Sequence, residues 1–455
     1  MKHKIVKFVT LVTSLSLVMS CKPKIDVPSP GKGSIDATRF VAIGNSITSG
    51  YADGALYYEG QQNSFVNLMA GQFKLIGGGD FKQPLMNASS VGVGSDGNAP
   101  FKLAYSTDCL GITSLAPVPV ATAGDVNALN SNIYSSGPFN NIGVPGAKAI
   151  TAVNAGFGNP ANGAGNFNQF FYRMTSNPAT ASMLSDAVAM NPTFFSVFIG
   201  NNDVLAYALT GATSDAITPV NGVAGVGFDG SITAIVNALI ANGAKGVIAN
   251  IPDITSLPYF TTIPYNGLAL NQAQADQLNG ALNGLFTFED GSNQFKAGNN
   301  QFIIEDTSVA FVYSRPILRG ELILLDVPLD QIKCHGLGAL TPIPDKYILT
   351  LSEIAKIQNA INSYNITIKA VADAKGLAFV DVNAFLKAAQ KGIIYNGVTL
   401  SSAFVTGGAF SLDGLHLNPI GQALLANEFI KAINTKYGST IPQVDVTKYR
   451  GIIFP

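Results

Sequence analysis

Short apolar runs that stop abruptly at polar turns are the feature of this sequence that most restricts its fold. Four such runs are rich in β-branched and aromatic residues, and each is followed by a turn containing Gly, Asn, Pro or Asp. They lie at residues 39–43, 193–199, 246–251 and 378–382. Runs of this length and composition are typical of strands buried on both faces of a parallel sheet.

Amphipathic segments separate these runs. Residues 231–242 and 352–374 carry apolar side chains at helical spacing, and a third helix is predicted over 419–437, with Asn418 as its cap and Pro419 at its first position. Strands that alternate with helices predict an α/β fold whose parallel sheet is covered on both faces. In such sheets the active site lies beyond the carboxyl ends of the strands.

Two stretches do not fit this alternation. Residues 75–140 are rich in Gly, Asn, Ser, Ala and Pro, and residues 255–345 mix a Gln/Asn-bearing helical segment with short apolar runs. Because predicted strands of one sheet bracket both stretches, we interpret them as insertions. The sequence thus predicts a single domain over 37–455, although 455 residues exceed the size at which one core usually stops growing.

Histidine is scarce, which narrows the search for a general base. Beyond residue 20 the chain contains only His335 and His416. His416 follows Asp413 by three residues, a spacing from which a carboxylate can reach the imidazole and fix its tautomer. His335 follows Cys334 in the second insertion and has no carboxylate as close ahead of it. His416 is therefore the stronger candidate.

Four short segments resemble the four sequence blocks of one enzyme family, and they occur in the family's order. They read GNSIT at 44–48, NIGVPG at 141–146, GNND at 200–203 and DGLH at 413–416. The family is the SGNH hydrolases, also called GDSL esterases. The resemblance implies a three-layer α/β/α scaffold with a flavodoxin-like parallel sheet. It also implies a Ser46 nucleophile, His416 as general base and then acid, and Asp413 as the carboxylate that orients His416.

The same resemblance implies an oxyanion hole formed by the backbone N–H groups of Ser46 and Gly146 and the side-chain amide of Asn202. A glycine lets a backbone amide approach a ligand without a Cβ in the way, and an Asn side chain donates without titrating. The sequence departs from the family pattern at Asn45 and Ile47, where the family name calls for Asp and Leu. Asn45 keeps hydrogen-bonding capacity but carries no charge.

The first residues predict export and lipid anchoring. Three lysines precede an apolar run over 8–19 that is too short to span a bilayer, as in a secretory signal over 1–20. The run ends at Val18-Met19-Ser20-Cys21, which resembles a bacterial lipobox, with Cys21 as the lipidated residue. Residues 21–36 are predicted to form a flexible tether. We therefore expect a cell-envelope protein anchored to the outer membrane or cell surface.

Charge and ligand spacing exclude several classes of function. The formal net charge is −1, and no basic cluster is present to follow a phosphate backbone, so nucleic acid is not an expected partner. No Cys-x-x-Cys or His-x-x-x-His spacing suggests a metal site, and no cofactor is implied. The predicted partners are an ester substrate, either an acylated carbohydrate or a lipid, and the membrane that holds the anchor.

Three questions stay open at the level of sequence. If Cys21 is lipidated, Cys109 and Cys334 are the remaining thiols, and their separation in sequence does not decide whether they pair. The predicted activity is hydrolysis of carboxylic esters, as by an esterase, a lipase or a carbohydrate deacetylase. The same three residues also serve an acyltransferase, and a binding lipoprotein that has lost catalysis would keep the same fold.

Overall fold

The structure is a computed structural model that describes residues 29–309, 312–395 and 398–455. The predicted signal segment 1–20 and the lipidation site Cys21 lie outside the described residues, as does the first half of the predicted tether. Export and anchoring therefore stay predictions. Within the described residues, no helix is long and apolar enough to cross a membrane.

Five parallel strands form the central sheet. In chain order we label them β1 (Phe40–Gly44), β2 (Asn141–Gly143), β3 (Phe194–Phe198), β4 (Lys245–Ala249) and β5 (Ala378–Val380). Across the sheet they lie in the order β5-β4-β3-β1-β2. Read from the other edge, this is the 2-1-3-4-5 order of flavodoxin-like folds. The predicted α/β fold class with its flavodoxin-like parallel sheet is therefore confirmed.

Side chains of β1 alternate between two apolar layers because successive residues of a strand point to opposite faces. Val41 and Ile43 pack with the helices on one face, and Phe40 and Ala42 pack with those on the other. The first face is covered mainly by Met183–Ala189, Phe228–Ile240 and Leu351–Ala374. The second is covered by Phe65–Lys74 and Pro419–Tyr437. The result is the expected three-layer α/β/α arrangement.

The remaining elements are short. The other α-helices are Ser46–Ser49, Tyr58–Gln62, Ala149–Ala152, Gln169–Met174, Asn202–Ala208, Pro258–Thr261, Gln272–Leu282, Leu329–Cys334 and Val382–Lys391. The 3₁₀ turns are Val126–Leu129, Tyr134–Ser136, Pro160–Asn162, Ile254–Ser256, Asp345–Tyr347 and Val446–Lys448. The antiparallel pairs are Phe101–Thr107 with Thr113–Pro119, Leu268–Leu270 with Gly298–Asn300, Ile303–Glu305 with Ser314–Pro316, Leu322–Ile323 with Ile348–Leu349, and Ile393–Tyr395 with Val398–Leu400.

The two predicted insertions contact each other. The first contains the hairpin Phe101–Thr107 with Thr113–Pro119, and the second has an apolar cluster of its own over 268–348. Cys109, at the tip of the hairpin, forms a disulfide with Cys334 of the second insertion, with Cα atoms 6.4 Å apart. The structure thus answers the pairing question that the sequence left open. That both stretches are insertions into one domain stays an interpretation.

Strand boundaries shift by at most two residues from those predicted, and one strand of the sheet was not predicted. The missed strand, β2, is only three residues long, so it shows no apolar run from which it could be recognised. The helix Pro419–Tyr437 begins and ends as predicted, and the side chain of Asn418 caps it by accepting from the Gly421 N–H.

Candidate active site

The turn after β1 presents Ser46 at the carboxyl edge of the sheet. The Asn45 side chain accepts a hydrogen bond from the Ile47 N–H at 3.1 Å and so caps the short helix Ser46–Ser49. A Cβ on Gly44 would lie 1.9 Å from the Thr48 hydroxyl oxygen, so the turn requires glycine there. Asn45 supplies this cap without needing the charge of the aspartate that the family pattern would place at its position.

Three of the predicted site residues form a continuous hydrogen-bonded chain. The His416 Nε2 lies 2.8 Å from the Ser46 hydroxyl oxygen, and its Nδ1 lies 2.8 Å from the Asp413 Oδ2. When Nδ1 donates to the carboxylate, Nε2 is left unprotonated and accepts the Ser46 hydroxyl proton. The three residues, separated by up to 370 positions in sequence, therefore have the geometry needed to activate a serine hydroxyl.

Asp413 is held by donors on both of its oxygens. Oδ1 accepts from the N–H groups of Leu415 and His416 and from the Ser411 hydroxyl, each at 2.9 Å, and Oδ2 also accepts from the Gly54 N–H at 2.9 Å. Burial alone would raise the pKa of Asp413, but the adjacent His416 and these N–H groups hold that pKa well below its usual range. The carboxylate is thus ionised at neutral pH.

Asp53 supports Asp413, and sequence reasoning missed it. The Asp53 N–H donates to the Ser411 hydroxyl at 3.0 Å, and the Asp53 carboxylate accepts from the Leu412 N–H at 2.9 Å and the Tyr57 hydroxyl at 2.8 Å. Its backbone adopts a left-handed conformation with φ of 54°. Only an Asp53-Gly54 turn signal is visible in the sequence, and nothing local links it to a segment 358 residues away.

Tyr51 covers His416 and was also missed. The centroids of the two rings are 4.8 Å apart, and the Tyr51 hydroxyl donates to the Gly54 carbonyl at 2.5 Å. The Tyr51 N–H donates to the Ser46 carbonyl at 3.0 Å. Residues 51–54 thus connect the helix that carries Ser46 to the carboxylate that orients His416, which fixes the two halves of the site relative to each other.

The three predicted oxyanion donors lie in separate elements. Gly146 follows β2 and has a φ of 78°, and a Cβ there would meet only the Asn168 amide nitrogen, at 3.6 Å. The Asn202 side chain lines one pocket with Ser46 and His416, and one of its N–H groups donates to the Ala147 carbonyl at 3.0 Å. Its second N–H has no partner among the described residues and so is left for a ligand, because an amide NH₂ carries two donors.

Asp203 stabilises the chain that follows Gly146. Its carboxylate accepts from the Ala149 N–H at 2.7 Å and so holds the start of the helix that follows Gly146. The side chain is completely buried, and its Oδ1 has no partner within the described residues. Burial raises the pKa of Asp203 to about 6, above its ordinary value of 3.8.

Replacing Asp203 with asparagine should remove a pH dependence of folding stability. The folded-state pKa is higher than the unfolded one, so stability from this group is present below pH 3.8 and is lost as pH rises through about 6. Relative to Asp203→Asn, the wild type should therefore lose about 2.5 kcal/mol between roughly pH 4 and 7.5, at about 1.36 kcal/mol per pKa unit and with the unfolded carboxyl already half ionised at the lower pH. Urea unfolding of both proteins across this range measures it; a constant difference would contradict the assignment.

An apolar pocket opens beside Ser46. Its lining includes Ser46, Asn202 and His416, and its other side chains are mostly aliphatic or aromatic. They come from the helices Ser46–Ser49, Asn202–Ala208, Val382–Lys391 and Pro419–Tyr437, the end of β3, the loop after β4 and the segment around His416. The apolar members are Ile47, Phe198, Leu205, Pro252, Ile254, Leu257, Val382, Phe385, Leu386, Phe410, Leu415, Leu417 and Leu425.

Four large apolar side chains of the second insertion do not line this pocket. Phe260, Ile323 and Leu324 are buried in the apolar clusters, as is Phe286. His335 is exposed at the end of the helix Leu329–Cys334. Within 29–309, 312–395 and 398–455, no group of three or more His, Cys, Asp or Glu side chains is arranged to hold a metal ion.

Comparison with known proteins gives little independent evidence for the family or function of this chain. No family model matches the chain, and no curated protein matches it significantly. Among solved structures, a crystal structure described as that of a GDSL-like lipase from Parabacteroides merdae ATCC 43184 covers 90% of this chain and 100% of its own, at 11% identity and a TM-score of 0.33. At so low a score the similarity carries no argument, so the geometry of the site alone supports a function.

Proposed function

We propose that this protein is a serine-dependent carboxylic ester hydrolase. The observation that carries the proposal is the hydrogen-bonded chain from the Ser46 hydroxyl through both nitrogens of His416 to the ionised Asp413, next to an apolar pocket. A hydroxyl is a weak nucleophile until a base accepts its proton, and an imidazole held in one tautomer by a carboxylate is the usual base.

The reaction proceeds in two steps. His416 Nε2 takes the hydroxyl proton as the Ser46 oxygen attacks the ester carbonyl, and the imidazolium then protonates the departing alcohol. Water next attacks the acyl-enzyme, with His416 again accepting the proton, and the acid is released as Ser46 regains its hydrogen. Asp413 stays ionised throughout and stabilises the transient imidazolium. The N–H groups of Ser46 and Gly146 and the free N–H of Asn202 are proposed to hold the oxyanion.

Replacing Asn202 with alanine tests the oxyanion assignment. Losing one such donor should lower kcat by about 10²- to 10³-fold, equivalent to about 2.7–4 kcal/mol, with a smaller change in KM. The variant also loses the bond to the Ala147 carbonyl, so its Tm should be measured in parallel. A rise in KM with unchanged kcat would assign Asn202 to substrate binding instead.

The apolar pocket is proposed to hold the acyl chain. The space open to the centres of water-sized groups is about 60 Å³. An apolar lining around so small a space suits an acyl chain of a few carbons. This favours butanoyl and hexanoyl chains over acetyl, which leaves the pocket unfilled, and over palmitoyl, which exceeds it.

A panel of p-nitrophenyl esters from acetate to palmitate tests this assignment on the protein without residues 1–21. We expect kcat/KM to rise by up to about fourfold per methylene to butanoate or hexanoate, since each buried methylene contributes about 0.8 kcal/mol, and then to fall. Turnover that is fastest with acetate, or that keeps rising to palmitate, would contradict the assignment.

A further inference from the structure

A second opening lies beside the loop that carries Gly146, and it differs in chemistry from the apolar pocket. We call it the Gly146 groove; it is lined by Gly146, Thr151 and residues within 154–168. The space open to the centres of water-sized groups is about 480 Å³, much larger than in the apolar pocket. Gly146 links the groove to the proposed oxyanion site.

Four asparagine side chains line the Gly146 groove, and two of them form hydrogen bonds with the backbone around it. The Asn168 amide donates to the Pro145 carbonyl at 2.8 Å and accepts from the Phe171 N–H at 2.9 Å, which ties this wall to the residue before Gly146. Asn162 donates to the Gly156 carbonyl at 3.2 Å. These two amides are therefore occupied by the fold.

Asn154 and Asn166 are the amides that remain for a ligand. Both are exposed, and neither side chain has a hydrogen-bond partner within the part of the chain that the structure describes. Each amide offers two donors and a carbonyl acceptor, so it can pair with a hydroxyl group in either direction. Two free amides in one groove suit a ligand that carries several hydroxyl groups.

Two aromatic rings add apolar surface to the same groove. Phe157 stacks on Phe171 with centroids 5.8 Å apart, and Phe167 packs edge-on to Tyr172 at 6.2 Å. Both lining rings are half-buried, so packing holds each in position while part of it faces the groove. Aromatic rings beside amides bind molecules with both C–H faces and hydroxyl edges, such as sugars.

None of the lining residues is charged. An ionic group such as a phosphate or a quaternary ammonium would find no counter-charge in the lining. Lys148, the charged residue nearest in sequence to Gly146, is paired with Asp215 at 3.1 Å. The groove therefore suits a neutral polar ligand.

We propose that the Gly146 groove binds the alcohol portion of the ester and that this portion is a neutral sugar. The inference rests on the proposed function, because it assigns the apolar pocket at Ser46 and the groove that contains the proposed oxyanion donor Gly146 to the two halves of one substrate. The apolar pocket takes a short acyl chain and the groove takes a polyhydroxylated alcohol.

Matched esters with one acyl group test the proposal. Butanoyl glucose should be hydrolysed with a kcat/KM at least about tenfold higher than methyl butanoate, because only the sugar ester fills the groove. Asn166→Leu and Phe167→Ala should each lower kcat/KM for butanoyl glucose about tenfold and leave methyl butanoate within about twofold. Asn293→Leu is the matched control, since Asn293 is exposed outside both openings and should leave both substrates unchanged.

Binding measured without turnover separates this inference from the proposed function. Hexyl β-glucoside cannot be hydrolysed as an ester, and calorimetry on Ser46→Ala should give a Kd about tenfold lower than that of the Ser46→Ala, Asn166→Leu double variant. That result would support the groove even if no ester were turned over. Equal binding by the two proteins, or equal loss of both butanoyl substrates in Asn166→Leu, would overturn the groove assignment while leaving hydrolysis by Ser46 intact.

Discussion

Replacing Ser46 with alanine is expected to lower kcat/KM for ester hydrolysis by about 10⁴- to 10⁶-fold, the loss seen when a serine nucleophile is removed. The hydroxyl forms the hydrogen bond to His416, and alanine keeps the rest of the buried side chain. The measurement is steady-state hydrolysis of p-nitrophenyl butanoate by the wild type and the variant, with thermal unfolding of both.

Ser49→Ala is the matched control for this experiment. Ser49 lies in the same short helix and is also buried, but its hydroxyl donates to the Ser46 carbonyl at 2.8 Å and does not contact His416. It should keep activity within about tenfold, because a lost neutral hydrogen bond costs about 1 kcal/mol. Comparable activity in Ser46→Ala and the wild type would remove Ser46 as the nucleophile.

Replacing Asp413 with asparagine is expected to lower kcat by about 10⁴-fold, as when an orienting aspartate becomes an amide in a serine hydrolase. Both oxygens of Asp413 accept hydrogen bonds, so an NH₂ group at either position faces donors. If the amide oxygen of the asparagine takes the Oδ1 position, where three groups donate hydrogen bonds, its NH₂ group takes the Oδ2 position and faces Nδ1 of His416. That contact requires Nδ1 to accept and Nε2 to carry the proton, which is the wrong tautomer for taking the Ser46 proton.

Asp53→Asn separates this effect from a general loss of charge. Asp53 is a neighbouring carboxylate that is hydrogen-bonded to the same segment but does not contact His416. Asparagine also tolerates its left-handed backbone. Its kcat should fall by no more than about tenfold, since it acts on His416 only through Ser411 and Asp413. Equal losses in the two variants, measured on folded protein, would mean that Asp413 does not set the His416 tautomer.

The central sheet could be predicted from sequence because its signals are local. A buried strand needs an unbroken apolar run, and four of the five strands have one, with polar turns marking their carboxyl ends. The three residues of β2 are held by neighbours instead: Asn141 donates from its side chain to the Thr48 carbonyl and to Gln83. That strand depends on long-range contacts, which a local pattern does not contain.

Half of the candidate site could also be predicted from the sequence, because its signals are local. Asp413 and His416 lie three residues apart, so their contact follows from local spacing, and Ser46 sits in a recognisable turn. The contacts made by residues 51–54 join segments 358 and 359 positions apart. The apolar pocket likewise draws its lining from several separate segments of the chain. The contacts of residues 51–54 and the lining of the apolar pocket have no sequence signature, because both arise only when the sheet brings distant loops to one edge.

The most direct measurement of the proposed chemistry is covalent labelling with a fluorophosphonate, which reacts with serine only where a base activates the hydroxyl and an oxyanion site receives the phosphonyl oxygen. Intact mass and peptide mapping of the labelled protein should show one adduct, located on Ser46. Ser46→Ala should take no label, His416→Gln should react far more slowly, and Ser49→Ala should react like the wild type. A folded wild-type protein that stays unlabelled, or that is labelled at another residue, would contradict the assignment of Ser46 as an activated nucleophile.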